Sequence, residues 1–134
     1  MVDTNVVIDL LEADGAWLDW SLDRVLDARR DGPVAISAIV VGELATRFES
    51  LDDVLATIDG FGFVVRDLGA GAAHGAGRAQ QAYRAAGGLR DRLLGDFLIG
   101  AHAETLGAAL LTRDSRYYRR YFPDLTLITP ETEQ

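Results

Sequence analysis

Short apolar runs alternate along the chain with longer stretches in which apolar residues recur at helical spacing. Four runs have the length and composition of buried strands: VAIS at 34–37, FVVRDL at 63–68, AALLT at 108–112 and LTLIT at 125–129. The first two residues, MV, form a fifth and very short candidate that stops at Asp3. The sequence therefore predicts about five strands.

The segments between these runs have the features of helices. Between residues 6 and 26, apolar side chains recur at helical spacing, at Val6, Leu10, Leu11, Trp17, Leu18, Leu22, Val25 and Leu26. Ser37 is well placed to cap the following helix, AIVVGELATRFES. The remaining helical segments are LDDVLATIDGFG, GAAHGAGRAQQAYRAAGG, LLGDFLIGAHAETLG and a turn plus helix in RDSRYYRRYFP.

The alternation of strands and helices predicts an α/β sandwich, in which helices cover both faces of a mostly parallel sheet. No internal repeat, low-complexity tail or linker interrupts the pattern, so residues 1–134 are expected to form a single domain. In sheets of this kind, binding sites form at the carboxyl ends of the strands. Chemistry is therefore expected at the strand ends and at the helix starts beside them.

Composition narrows the class of protein. With 49% hydrophobic and 25% charged residues, the chain can form a core and is not typical of a disordered protein. It contains no cysteine, which excludes disulfides and thiolate metal sites. No apolar stretch approaches the roughly 20 residues of a membrane span, and the acidic start MVDTNVVIDLL is unlike a secretory signal. We therefore expect a soluble, cytoplasmic protein that makes no contact with membranes.

The charge pattern is unusual, because the formal net charge is −8 and all thirteen basic residues are arginine. An acidic protein binds nucleic acid poorly by non-specific attraction. A nucleic-acid substrate would therefore need metal ions or clustered arginines near the site. The absence of lysine also excludes reactions that depend on a lysine side chain.

Four carboxylates fall at the predicted sheet edge. Asp3 ends the first strand, Glu43 lies in the helix after VAIS, Asp96 begins the helix LLGDFLIGAHA and Asp114 follows the strand AALLT. Asp96 and Asp114 could each simply cap a helix, and Glu43 could face solvent. Asp3 and Glu43, however, interrupt apolar segments, where a buried carboxylate needs a partner. Together the four would repel one another unless a hard divalent cation such as Mg²⁺ or Mn²⁺ bound them.

Four stretches of the chain resemble the PIN-domain nucleases, and among them the VapC-type toxins of toxin–antitoxin pairs. They are VDTN at Asp3, ISAIVVGEL at Glu43, GDFLIGAHA at Asp96 and LLTRDSRYY at Asp114, in the order and spacing of that family. The resemblance covers essentially the whole chain, although the first strand is shorter than the family pattern. It implies a PIN-like α/β/α sandwich and metal-dependent hydrolysis of RNA phosphodiester bonds, with Mg²⁺ or Mn²⁺ as cofactor.

Expected roles for individual residues follow from that implication. The catalytic residues and metal ligands would be Asp3, Glu43, Asp96 and Asp114. The side chains that orient carboxylates or bound waters would be Thr4, Asn5, Ser37 and Thr112, although ordinary capping and turn contacts explain these equally well. The arginines that position phosphates would be Arg90, Arg92, Arg113 and Arg116, with solvated helix-end charges as the alternative. His74 and His102 are expected to be structural.

The resemblance also implies partners. A toxin of this family would bind RNA as its substrate and a small antitoxin as its inhibitor, and a basic antitoxin segment would suit an acidic protein. It would also pair as a homodimer, for which Trp17, Trp20 and the tyrosines near Tyr117 are plausible anchors.

Two other classes of function compete with the nuclease. Phosphoaspartate chemistry, as in receiver domains or haloacid dehalogenase-like phosphatases, relies on a lysine that this chain lacks, and DTN has no second aspartate for a DxD nucleophile motif. The alternative that remains is a non-catalytic RNA- or protein-binding module on the same fold. Such a module has no reason to keep four mutually repelling carboxylates, which favours the enzyme.

Overall fold

The computed structural model describes residues 1–89 and 94–133, and these form an α/β fold, as the sequence predicts. The helices of this part of the chain are Thr4–Leu11 (α1), Leu18–Asp31 (α2), Ala38–Leu44 (α3), Leu51–Gly60 (α4), Ala70–Ala85 (α5), Leu94–Leu106 (α6) and Arg116–Tyr121 (α7). Its strands are Val34–Ser37 (β1), Phe63–Arg66 (β2), Leu110–Leu111 (β3) and Leu127–Ile128 (β4). Short 3₁₀ turns cover Ala45–Arg47 and Pro130–Glu133.

The strands pair in parallel, β1 with β2 and β3 with β4. The opening residues join the two pairs. Leu111 donates a backbone hydrogen bond to Met1 and accepts one from Asp3, both at 2.9 Å, and the N–H of Val2 donates to Ala35 at 2.9 Å. The order across the sheet is therefore β2, β1, the segment 1–3, β3 and β4.

The prediction of about five strands is corrected in one respect. Within the described residues there are four strands, and the opening segment contributes a single parallel bridge between Val2 and Leu111. α1 begins directly after Asp3, which caps it, so the backbone leaves the sheet after this single bridge. It nevertheless lies in the middle of the sheet, and Asp3 therefore leaves from the centre of the carboxyl edge.

The core lies around this central segment. Val2, Val6, Ile36 and Leu110 are fully buried, and α6 buries most of its circumference, including Phe97. α6 packs against α5 on one side and also contacts α3 and α7. Among the helices described, none is both long and apolar enough to cross a membrane.

The helical spacing between residues 6 and 26 corresponds to two helices, α1 and α2, separated by turns around Gly15. Gly107 has a positive φ of 64° directly after α6, a backbone conformation that glycine adopts without strain, and the chain turns there towards β3. Because the strands are parallel, Asp3, Ser37 at the end of β1 and Thr112 after β3 all emerge at one edge of the sheet. That edge is where the predicted chemistry falls.

Candidate active site

Asp3 caps α1 and is the most enclosed carboxylate of the site, with 3% of the residue exposed. Its Oδ1 accepts a hydrogen bond from the Thr4 N–H at 2.7 Å. Its Oδ2 accepts two more, from the Thr112 hydroxyl at 2.8 Å and the Tyr118 hydroxyl at 2.9 Å. Burial raises the pKa of Asp3 above its ordinary value, while the three hydrogen bonds oppose that shift because they stabilise the ionised form.

Glu43 reaches the same region from α3. Its Oε1 accepts a hydrogen bond from the Thr4 hydroxyl at 2.8 Å, so Thr4 binds Asp3 through its N–H and Glu43 through its hydroxyl. The other oxygen lies against the start of α6, where a Cβ added to Gly95 would meet Glu43 Oε2 at 3.0 Å. The missing side chain at Gly95 therefore lets the Glu43 carboxylate lie beside Asp96.

Asp96, in the first turn of α6, has a pKa on which the charges of all three other acids act. Its pKa is raised to about 7, mainly by burial and then by the negative charges of Asp3, Glu43 and Asp114, in that order. At neutral pH the side chain is therefore close to half-protonated when no cation is bound. The charges of the other three acids act on the pKa of Asp96 because the four carboxylates lie in one region.

Thr112 links the remaining acid to this network. Its fully buried hydroxyl oxygen accepts hydrogen bonds from the Asn5 amide at 3.2 Å and from the N–H of Asp114 at 3.1 Å. The Asn5 carbonyl oxygen in turn accepts from the N–H of Arg113 at 3.2 Å. Asp114 Oδ1 accepts from the N–H of Arg116 at 3.2 Å, so this carboxylate also fixes the start of α7.

The sequence analysis places the four acids at one edge of the sheet, but they are buried to different degrees. Asp3 is buried and Asp96 is half-buried, whereas Glu43 and Asp114 are exposed. Glu43 lies near the end of the short helix α3 and Asp114 lies in a loop, so neither is covered by a neighbouring element. The cluster therefore has an enclosed side at Asp3 and an open side that faces solvent.

The donor set of this cluster fits a hard divalent cation. All four side chains offer carboxylate oxygens, the ligands of Mg²⁺ and Mn²⁺. Burial is the main cause of the raised pKa of Asp96, and the negative charges of the other three acids add to it. Asp3 already accepts three hydrogen bonds out of roughly four acceptor positions, so about one remains for a ligand. Within the described residues, no group of three or more acidic, histidine or cysteine side chains is arranged so that it could already hold a metal ion. Mg²⁺ is commonly bound through only one or two carboxylates, with waters completing its coordination.

The arginines expected to face phosphate lie in different settings. The guanidinium of Arg113 binds Asp9 through two contacts, Nε to Oδ2 at 2.7 Å and Nη2 to Oδ1 at 3.0 Å, and it covers the ring of Trp17. Arg116 is exposed and stacks over Tyr117 at 4.5 Å. The other two arginines of that prediction, Arg90 and Arg92, lie outside the described residues.

Ser37 and His102 form a buried pair beneath α3. The Ser37 hydroxyl caps the helix by accepting from the Ile39 N–H at 3.2 Å, and it lies 2.9 Å from His102 Nδ1. Burial, together with the charge of Arg66, lowers the pKa of His102, which favours a neutral ring. The hydrogen bonds of Ser37 therefore hold α3 in place, and Glu43 with it. The other histidine, His74, is exposed on α5.

Two residues of this network were not identified from the sequence. Tyr118 follows Asp114 by four positions, yet the sequence analysis considers the tyrosines near Tyr117 only as anchors of a homodimer. Asp9 is a second carboxylate in an apolar helix, and it is buried against both Arg113 and the Ser21 hydroxyl at 2.7 Å. An isolated acid in an apolar stretch was the available signal for Asp9, as it was for Asp3.

The chain was also compared with known proteins as a whole. A family model described as PIN domain matches residues 1–123. A search of curated proteins found no match.

Several solved structures share the fold. One is the crystal structure of VapBC2 from Rickettsia felis bound to a DNA fragment from their promoter, with a TM-score of 0.72, 21% identity and 96% of both chains covered. Two others are VapBC-1 from nontypeable Haemophilus influenzae, with a TM-score of 0.69 and 19% identity, and DNA-bound VapBC from Salmonella typhimurium, with 0.69 and 22%. Each of these also covers 96% of both chains. At such identities the likeness shows a common fold.

Proposed function

The chain belongs to the PIN domain family, and we propose that it is an Mg²⁺- or Mn²⁺-dependent endoribonuclease that hydrolyses RNA phosphodiester bonds. The observation that carries the proposal is the convergence of four carboxylates at the carboxyl edge of the sheet, where burial and then the charges of the other three acids raise the pKa of Asp96 to about 7. Perturbed carboxylates in an open cleft are typical of functional sites. A purely structural cluster would gain nothing from keeping this repulsion.

The roles of the residues follow from their settings. Asp3 and Asp96 are the proposed direct ligands, and Glu43 and Asp114 bind directly or through water. When bound, a divalent cation supplies an activated water and stabilises the negative charge that develops on the phosphate. Thr112 holds the Asp3 carboxylate in one orientation through its hydroxyl.

Binding of RNA also has to overcome the net charge of −8. A bound divalent cation would offset part of the negative charge of the carboxylates, and the exposed guanidinium of Arg116 lies at the start of α7 beside Asp114. We propose that Arg116 positions a phosphate. Arg113 was predicted to do the same, and its bidentate contact with Asp9 supports a different contribution, which is to fix the loop that carries Asp114.

The test is cleavage of end-labelled total RNA by the purified protein with EDTA, Mg²⁺ or Mn²⁺. Asp96→Asn removes a ligand and also relieves the repulsion, so this variant is expected to fold. It should lose more than about 100-fold in rate, because even the outer partners of metal ligands contribute about 10–100-fold. Asp23→Asn, at an exposed position on α2, is the matched control and should cleave like the wild type. Binding of RNA without metal-dependent cleavage by the wild type would instead favour the non-catalytic module.

We further propose that the nuclease is a cytoplasmic VapC-type toxin, active as a homodimer and inhibited by a small antitoxin. Support comes from the structures of similar fold, which are those of VapBC proteins. Expression of the wild type should arrest growth, Asp96→Asn should not, and co-expression of a small protein encoded beside it should relieve the arrest. RNA cleavage in vitro without growth arrest would point to a housekeeping nuclease.

A further inference from the structure

The hydroxyl of Tyr118 is the least expected donor in the site. Tyr118 lies on α7, 115 positions from Asp3, and its hydroxyl donates to Asp3 Oδ2 at 2.9 Å. The residue is 2% exposed, so the contact is shielded from competing water. A buried tyrosine hydroxyl requires a partner, and here that partner is a proposed metal ligand.

The packing of α7 on α6 determines how far the tyrosine reaches. A Cβ added to Gly100 on α6 would lie 2.9 Å from the Phe122 ring and 3.1 Å from Tyr118 Cδ1. Because Gly100 has no side chain, both rings lie directly against the α6 backbone. The Tyr118 ring is therefore fixed by the body of the protein, and its hydroxyl has a fixed position relative to Asp3.

The two hydroxyls on Oδ2 act from different elements. Thr112 donates from the end of β3 at 2.8 Å and Tyr118 from α7 at 2.9 Å, while the Thr4 N–H binds Oδ1 from α1 at 2.7 Å. Three donors that approach from three elements restrict both rotation and translation of the carboxylate. Thr112 also contacts Asn5 and Asp114, whereas the hydrogen bond of Tyr118 is directed at Asp3. Tyr118 is thus the donor whose removal disturbs the smallest part of the network.

We propose that Tyr118 is a positioning residue for the metal site, which holds the Asp3 carboxylate in the orientation that binds the divalent cation. The inference rests on the proposed metal-dependent nuclease and extends it to a residue outside the four acids. Hydrogen-bond partners of ligating carboxylates set ligand orientation, and their loss typically weakens metal binding by about 10–100-fold. The competing interpretation is structural, in which Asp3 merely satisfies the hydroxyl of a core tyrosine.

The experiment compares Tyr118→Phe with Tyr117→Phe, which removes the same hydroxyl from the neighbouring, half-buried residue of α7. Mn²⁺ affinity is measured without RNA, by the electron paramagnetic resonance signal of free Mn²⁺, and urea unfolding is measured in EDTA. We expect an Mn²⁺ Kd at least about tenfold higher for Tyr118→Phe and unchanged within about twofold for Tyr117→Phe. A Tyr118→Phe protein that is less stable in EDTA but binds Mn²⁺ like the wild type overturns the proposal.

A second measurement uses the wild type and covers the case in which Tyr118→Phe does not fold. With ¹³C-labelled tyrosine, titration with Mg²⁺ should shift the Tyr118 resonance and leave that of Tyr117 in place, and Asp96→Asn should abolish the shift. An unmoved Tyr118 resonance while Mg²⁺ binds overturns the proposal. Mn²⁺ binding that depends on Tyr118 in a protein that cuts no RNA would support the inference and refute the nuclease. A wild type that binds no divalent ion refutes both.

Discussion

The raised pKa of Asp96 should be measurable through the pH dependence of the free energy of unfolding. Its pKa in the folded, metal-free protein is about 7, against an ordinary value of 3.8. Below both values the side chain is protonated whether the chain is folded or not, and folding is unaffected. Between them the unfolded chain ionises while the folded protein keeps its proton, so the free energy of unfolding falls as pH rises. Above about pH 7 the full penalty is present.

Asp96→Asn removes this penalty, because the amide has nearly the same shape and no charge. A shift of about three units corresponds to at most about 4 kcal/mol, at about 1.4 kcal/mol per unit. Since the side chain is only half-buried, solvent screening reduces the effect, and we expect about 2 kcal/mol. The variant should therefore be about 2 kcal/mol more stable than the wild type at pH 8 and about equally stable at pH 4.

The assay is urea unfolding at pH 4, 6 and 8 in EDTA, with Asp23→Asn as the control for loss of an exposed acid. A second series at pH 8 contains Mn²⁺ in excess. There the order should reverse, because an ion that binds only the folded wild type stabilises it by about 2.7 kcal/mol at 100 times its Kd. The reasoning is refuted if Asp96→Asn is no more stable than the wild type at pH 8 in EDTA, or if the difference does not depend on pH.

Two further predictions concern residues that position the cluster. Gly95→Ala adds a Cβ 3.0 Å from Glu43 Oε2 and should displace that flexible carboxylate. Mn²⁺ binding should weaken several-fold, with little change in stability. The control is Gly77→Ala, at a position on α5 with open space around it, and equal Mn²⁺ affinity in the two variants would contradict the prediction. Arg113→Ala leaves Asp9, a buried carboxylate on α1, without its bidentate partner. We expect the free energy of unfolding in urea to fall by about 2–4 kcal/mol, a loss that solvent limits because the arginine side chain is 28% exposed. The exposed Arg78→Ala on α5 should change stability by less than about 0.5 kcal/mol, and a similar loss in both variants would show that the ion pair is not responsible.

The features that the sequence predicted best are the helices and strands and the carboxyl edge of the sheet. The run VAIS corresponds to β1 residue for residue, and the start of α3 follows at once with Ser37 as its cap. Such features could be predicted because helical spacing, apolar runs and caps are encoded by residues a few positions apart. The parallel sheet then followed from the alternation of the elements, and with it the edge where Asp3 and Thr112 emerge.

Tertiary structure decided which side chains meet and how deeply each is buried. Tyr118 reaches Asp3 only because α7 lies against Gly100, and Arg113 turns to Asp9 on α1, 104 positions away. Neither contact has a local pattern, because each depends on the packing of elements that are distant in the chain. The sequence by itself predicted the α/β fold and placed the four acids at one edge of its sheet. How deeply each acid is buried, and which hydroxyls orient Asp3, depended on long-range packing.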